Sequence, residues 1–96
     1  MPAKEKTMNE RRYAAAVERL RSPQRVALLE IKRVTDLLLD DITANSALDV
    51  GVGSGLFAEE FAARGLEVAG VDVNPEMVEA AGQFVPSGNF KQAPAE

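Results

Sequence analysis

Two carboxylates and three glycines carry the chemistry this sequence could perform. Asp49 precedes the run Gly51-Val52-Gly53-Ser54-Gly55, and Asp72 follows about twenty residues further on, at the end of the next apolar stretch. Glycines at alternate positions let backbone pass close to a ligand, and a helix beginning just after them offers unpaired N–H groups and the positive end of its dipole. A carboxylate on the tip of the neighbouring strand is placed to accept hydrogen bonds from ribose hydroxyls. A dinucleotide and S-adenosylmethionine both suit such an arrangement.

Two details separate these ligands. The dinucleotide pattern is Gly-x-Gly-x-x-Gly, its last glycine allowing close helix–strand packing. Here the third glycine, Gly55, comes one residue early and Leu56 stands in the place that pattern gives to glycine. Asp49 would repel a pyrophosphate but attract the ammonium of a methionine moiety. The turn therefore favours a ligand with a cationic amino group.

The remaining composition narrows the chemistry further. The chain of 96 residues has no cysteine and no histidine. Disulfides, thiol nucleophiles and imidazole bases are excluded, and a metal would have to be held by carboxylates alone. A net charge of −4 argues against a nucleic-acid binder. The basic residues of the N-terminal third, Arg19, Arg21 and Arg25 among them, alternate with glutamates and read as a solvated helical surface. Met1 to Arg12 is polar and lacks the apolar core of a signal peptide, and no apolar run is long enough to span a bilayer, so a cytoplasmic location is expected.

The elements that must position the two acids follow from periodicity and punctuation. Met1 to Met8 reads as frayed, and Asn9 as the cap of a helix from about Glu10 to Leu20. Ser22-Pro23 caps and opens a second helix, expected to run unbroken to about Leu39 with a wide, mostly buried apolar face. Strand, helix, strand, helix, strand then alternate. The strands are Ala47 to Val50, Glu67 to Val71, and one starting near Phe90; the helices are Ser54 to Arg64 and one from Pro75 to near Gly82. Gly65 fits a left-handed helix end and Asn74 a cap. Phe57 and Phe61, one turn apart, are expected in the core. Alternation of this kind builds a parallel sheet, and the apolar first strand suits cover on both faces.

With these elements in place, the chain resembles the class I S-adenosylmethionine-dependent methyltransferases, in particular the small-molecule branch that includes quinone-biosynthesis and related type 11 enzymes. Leu48 to Gly55 resembles their first motif, Gly70 to Val78 their second, and Gln92 to Glu96 the beginning of their third. The resemblance implies an α/β, partial Rossmann-like parallel sheet of three strands in the order 3-2-1, preceded by two helices. Residues 1–45 would form the N-terminal helical segment and 46–96 the N-terminal half of a cofactor-binding domain, since the family fold continues to seven strands. It further implies that Gly51 and Gly53 line the methionine portion of the cofactor with Asp49 and the nearby Gly55, and that Asp72 binds the ribose. Val73 and Met77 would pack on adenine, though Met77 serves equally well as core, and the Ala95 backbone would meet the adenine edge. Pro94 stands where many relatives have Asp or Thr. No residue is nominated as a catalytic base, and Tyr13 is read as a helix anchor. The expected partners are a small-molecule methyl acceptor and, through an uncovered edge of the first strand, a second copy of the chain. An NAD(P)-binding oxidoreductase fragment and a non-enzymatic oligomerising module are the alternatives. Asp72→Ala is expected to abolish binding of an adenosyl ligand while leaving the melting temperature little changed.

Overall fold

In the computed structural model the described residues are 8–96; the expectations for residues 1–7, and for the side chain of Tyr13, lie outside what is described, while the first helix already starts at Met8, so Met8 is not frayed and Asn9 lies inside the helix rather than at its cap. The elements are α1 (Met8–Leu20), α2 (Pro23–Leu29), α3 (Ile31–Leu39), β1 (Ser46–Val50), α4 (Leu56–Ala63), β2 (Glu67–Asp72), α5 (Pro75–Phe84) and β3 (Asn89–Gln92). The three strands are parallel and lie in the order β1-β2-β3, which is the expected order read from the other edge. Leu48 pairs with Ala69, Asp49 with Gly70, and Gly70 with Phe90.

Successive side chains along a strand point to opposite faces, and the two faces here differ sharply. On one, Val68 and Phe90 meet α4 and α5 in a core built from Val52, Ala58, Val68, Ala81 and Val85, with Phe61 packed against it. Gly70 allows this close approach: a Cβ there would lie 2.9 Å from the Phe90 ring and 3.0 Å from Val52. On the other face, Leu48 and Val50 are 66% and 52% exposed. The expectation that β1 is covered on both faces is therefore not met among the described residues.

The second helix also departs from expectation. Pro23 to Leu39 is not one helix but two, broken at Glu30, which adopts φ 46° and ψ 49°. The Glu30 N–H donates to the Ala27 carbonyl at 3.3 Å, three residues back. A left-handed conformation costs a residue with a Cβ about 1–2 kcal/mol. The break turns α3 onto α4, burying Ile31 and Thr35. The Thr35 hydroxyl is satisfied by donating to the Ile31 carbonyl at 2.7 Å. Arg64 fastens the far end, reaching Asp36 at 2.6 Å and the Lys32 carbonyl at 3.1 Å. The wide apolar face is not mostly buried: Leu37 and Leu38 are exposed, and Val26, Leu29 and Val34 are only partly covered.

The local signals hold where a side chain or a glycine dictates the backbone. The Ser22 hydroxyl accepts from the Arg25 N–H, the Asn74 side chain accepts from the Glu76 N–H at 2.9 Å, and Gly65 ends α4 at φ +85°.

Candidate functional site

The turn after β1 is fixed by backbone bonds to β2. The Gly51 and Val52 N–H groups both donate to the Val71 carbonyl, at 2.9 and 3.0 Å, and the Gly55 N–H closes onto the Val52 carbonyl at 3.1 Å. Gly51 and Gly53 have φ +77° and +56°, and a Cβ at either would meet nothing within 4 Å, so bare backbone faces open space. Gly55 plays a different part. It is buried, and a Cβ on it would lie 3.2 Å from the Ala81 Cα, so its lack of a side chain lets α4 start against α5.

Asp72, at the tip of β2, is tied to this turn. One carboxylate oxygen accepts the Gly53 N–H at 2.9 Å and the other accepts the Asn74 N–H at 2.9 Å. Each oxygen has two acceptor directions, so both remain able to accept a further donor from a vicinal diol. The end of the chain crosses the same tip: the Ala93 N–H donates to the Asp72 carbonyl at 3.0 Å, and the Gln92 amide to the Val73 carbonyl at 3.2 Å.

Asp49 faces the same crevice from the tip of β1. Burial, and secondly the negative charge of Asp72, push its carboxyl above the ordinary value of 3.8. A group whose folded pKa is raised binds more protons folded than unfolded, so stability falls as pH rises through the window between those two values. Ionised Asp49 therefore works against folding at neutral pH. Asp49→Asn is expected to melt above the parent chain at pH 7 in the absence of ligand, with the difference closing as pH falls to about 3.8. Melting curves of the two chains across that range check it; a variant that melts lower at neutral pH overturns it. A ligand cation in the crevice would relieve the same strain.

Two neighbouring cavities flank the turn and share Gly51. One, of about 230 Å³, is lined by Asp49, Gly51 and Gly53 together with Leu20, Arg25 and Phe57. The other, of about 240 Å³, is lined by Gly51, Asp72, Val73 and Ala95 with Val50 and Val71. Six of the eight residues singled out in the sequence thus border one divided crevice, while Gly55 and Met77 line neither part. Met77 is 9% exposed, within the core. Phe57, expected in the core, lines the first cavity beside Asp49. A larger hollow of about 560 Å³ between α2–α3 and α4 contains none of the eight, and its rim mixes both signs of charge.

Sequence reasoning expects the two N-terminal helices to pack on the sheet and help close the site, but it misses the residue that ties them to the glycine turn. Arg21, read as a solvated surface residue, is 14% exposed. Its guanidinium donates twice to the Ser54 carbonyl, at 3.2 and 2.8 Å, pairs with Glu59 at 2.9 Å and lies 3.4 Å over the Phe84 ring. One side chain thus joins the N-terminal helices to the glycine turn, α4 and α5. No local pattern signals a contact between residues thirty-three apart. The one available hint was the Ser22-Pro23 start, which fixes where the chain turns beside Arg21.

A parallel sheet with a glycine turn between two strand-tip carboxylates defines a domain built to hold a nucleoside-like ligand. The family described as "Methyltransferase domain" matches residues 48–96, about half of the chain. Magnesium-protoporphyrin O-methyltransferase of Rhodobacter capsulatus is 39% identical over 49 residues, covering 51% of this chain and 22% of that protein. Among solved structures, a TehB-like SAM-dependent methyltransferase from Corynebacterium glutamicum superposes with a TM-score of 0.60 at 22% identity, covering 83% of this chain and 46% of that one. The plantazolicin methyltransferase BamL, solved with a triazolic desmethylPZN analogue and SAH, gives 0.62 at 15% identity, covering 91% and 34%. The two structures share the fold. The chain belongs to the methyltransferase-domain family.

Proposed function

We propose that the chain is the cofactor-binding portion of an S-adenosylmethionine-dependent methyltransferase acting on a small-molecule acceptor. One observation carries the reading: Asp49 and Asp72 stand on adjacent strand tips around bare glycine backbone, with a cavity on either side. The residues fit the group. Asp49 suits the ammonium, Gly51 and Gly53 leave room for the methionine chain, Asp72 suits the ribose diol, and Val73 and Ala95 offer an apolar face and backbone to adenine. When bound, the cofactor supplies a methyl group on a positively charged sulfur. The chain's own residues hold and orient it, which is the larger part of what an in-line displacement needs.

The acceptor class is supported by the R. capsulatus relative, whose name specifies an O-methyltransferase of magnesium protoporphyrin. Assembly of two copies along β1, an edge strand of the sheet, belongs to the same proposal; a strictly monomeric species in concentrated sedimentation runs would count against it. A cytoplasmic location belongs to the proposal as well, and fractionation would check it. Among the described residues no helix is long and apolar enough to cross a membrane.

Calorimetric titration with S-adenosylhomocysteine and NAD in parallel tests the central reading. Binding of the first with no heat from NAD is expected. Binding of NAD alone would overturn the proposal.

A further inference from the structure

We infer that Arg25 of α2 is the anchor for the carboxylate of the ligand's amino-acid end, opposite Asp49. This rests on the cofactor reading above and assigns a residue to the end of the ligand farthest from the nucleoside.

The charges around the smaller cavity carry the argument. Among the described residues its charged lining is one anion, Asp49, and one cation, Arg25. A group bearing an ammonium and a carboxylate on neighbouring atoms, an α-amino acid, matches that pair. Donors for the carboxylate are scarce in the turn itself. The Gly51 and Val52 N–H groups are bonded to the Val71 carbonyl, the Gly53 N–H to Asp72, and the Gly55 N–H to the Val52 carbonyl. Arg21 is committed to Ser54 and Glu59. The guanidinium of Arg25, by contrast, has no ion pair or hydrogen bond among the described residues. The N–H groups at the start of α4 are neutral donors; Arg25 alone brings a full charge and a planar fork that matches a carboxylate.

The placement of Arg25 is set by local sequence. The Ser22 hydroxyl accepts the Arg25 N–H at 3.3 Å and Pro23 occupies the first helical turn, so the chain starts α2 at one defined residue. Arg21, one helical turn earlier in sequence, fastens this start to the Ser54 carbonyl of the glycine turn. The guanidinium that binds and the guanidinium that positions are thus separate side chains.

The test uses two ligands that differ only in the group at issue: S-adenosylhomocysteine, and its decarboxylated form with a 3-aminopropyl thioether. By calorimetry the parent chain is expected to bind the first about 10- to 100-fold more tightly, the range of a charge-assisted hydrogen bond. Arg25→Met is expected to bring affinity for S-adenosylhomocysteine down to that of the decarboxylated form and to leave the latter unchanged. Arg25→Lys should recover part of the difference. Melting temperature should stay level, because the side chain is exposed and has no ion pair or hydrogen bond to lose among the described residues. Undiminished binding of S-adenosylhomocysteine by Arg25→Met overturns the inference, and so does an equal loss for both ligands. Failure of the parent chain to bind either ligand overturns the cofactor reading and this inference with it.

Discussion

Asp72→Ala is expected to lose S-adenosylhomocysteine binding by at least about 100-fold, since two charge-assisted hydrogen bonds to a diol are each worth about 1.5–3 kcal/mol. The same substitution is expected to lower stability, against the sequence-based expectation that the melting temperature would hardly move. In the fold, this carboxylate accepts the N–H of Gly53 at 2.9 Å and that of Asn74 at 2.9 Å. Removing it orphans one partly buried donor, the Gly53 N–H, at about 1–3 kcal/mol; the Asn74 N–H is exposed and water can take up its bond. Asp72→Asn separates the two roles. It keeps one oxygen for a backbone donor but removes the charge and turns one acceptor into a donor. Its melting point should lie between those of the parent and the alanine variant, while its affinity falls close to that of the alanine variant. Calorimetry and melting curves on the three chains check this. Asparagine binding as tightly as aspartate would remove Asp72 from the ligand site.

Arg21→Met is expected to be strongly destabilising although the residue lies outside every strand and helix. Its guanidinium is held by the Ser54 carbonyl, by Glu59 and by the Phe84 ring, with 14% of the side chain exposed. Loss of the bonds to Ser54 and the cation–π contact should cost about 2–3 kcal/mol. For a domain of this size that is roughly 10–20 °C in melting temperature. Glu59→Gln serves as the internal comparison. The Glu59 side chain is 51% exposed, so its ion pair with Arg21 is worth under about 1 kcal/mol. A methionine variant that melts with the glutamine variant would mean that the Ser54 contact does not hold α1 and α2 to the sheet. The methionine variant should also bind S-adenosylhomocysteine more weakly, because Ser54 belongs to the turn that lines the cavity.

The stretch from Ser46 onward was legible because its signals are local and redundant. Gly51 and Gly53 sit at positive φ where the turn requires it, Asn74 and Pro75 open α5, and Gly65 closes α4. Each is a one-residue device whose effect on the backbone needs no distant partner. The motifs could also be weighed together, so Asp49 and Asp72 were linked before any geometry was known. Other features were not legible. Gly55 looks like its two neighbours in sequence, yet its bare Cα meets Ala81 of α5. Phe57 shares the apolar spacing of Phe61, yet lines the cavity. Glu30 is an ordinary helix former, yet it breaks the helix.

By itself the sequence determined the alternation of strands and helices, the glycine turn, and the acids at two strand tips, because caps, glycines and apolar periodicity act over a few residues. Tertiary structure alone decided which basic residues matter. It folds Arg21 back onto a carbonyl thirty-three residues away and stands Arg25 over the same cavity as Asp49. It also decided that Asp72 braces the turn it flanks. These are contacts between segments whose spacing in the chain carries no period. Only tertiary packing, with α1 against α5 and α4 against the sheet, brings the Arg21 guanidinium within bonding distance of the Ser54 carbonyl.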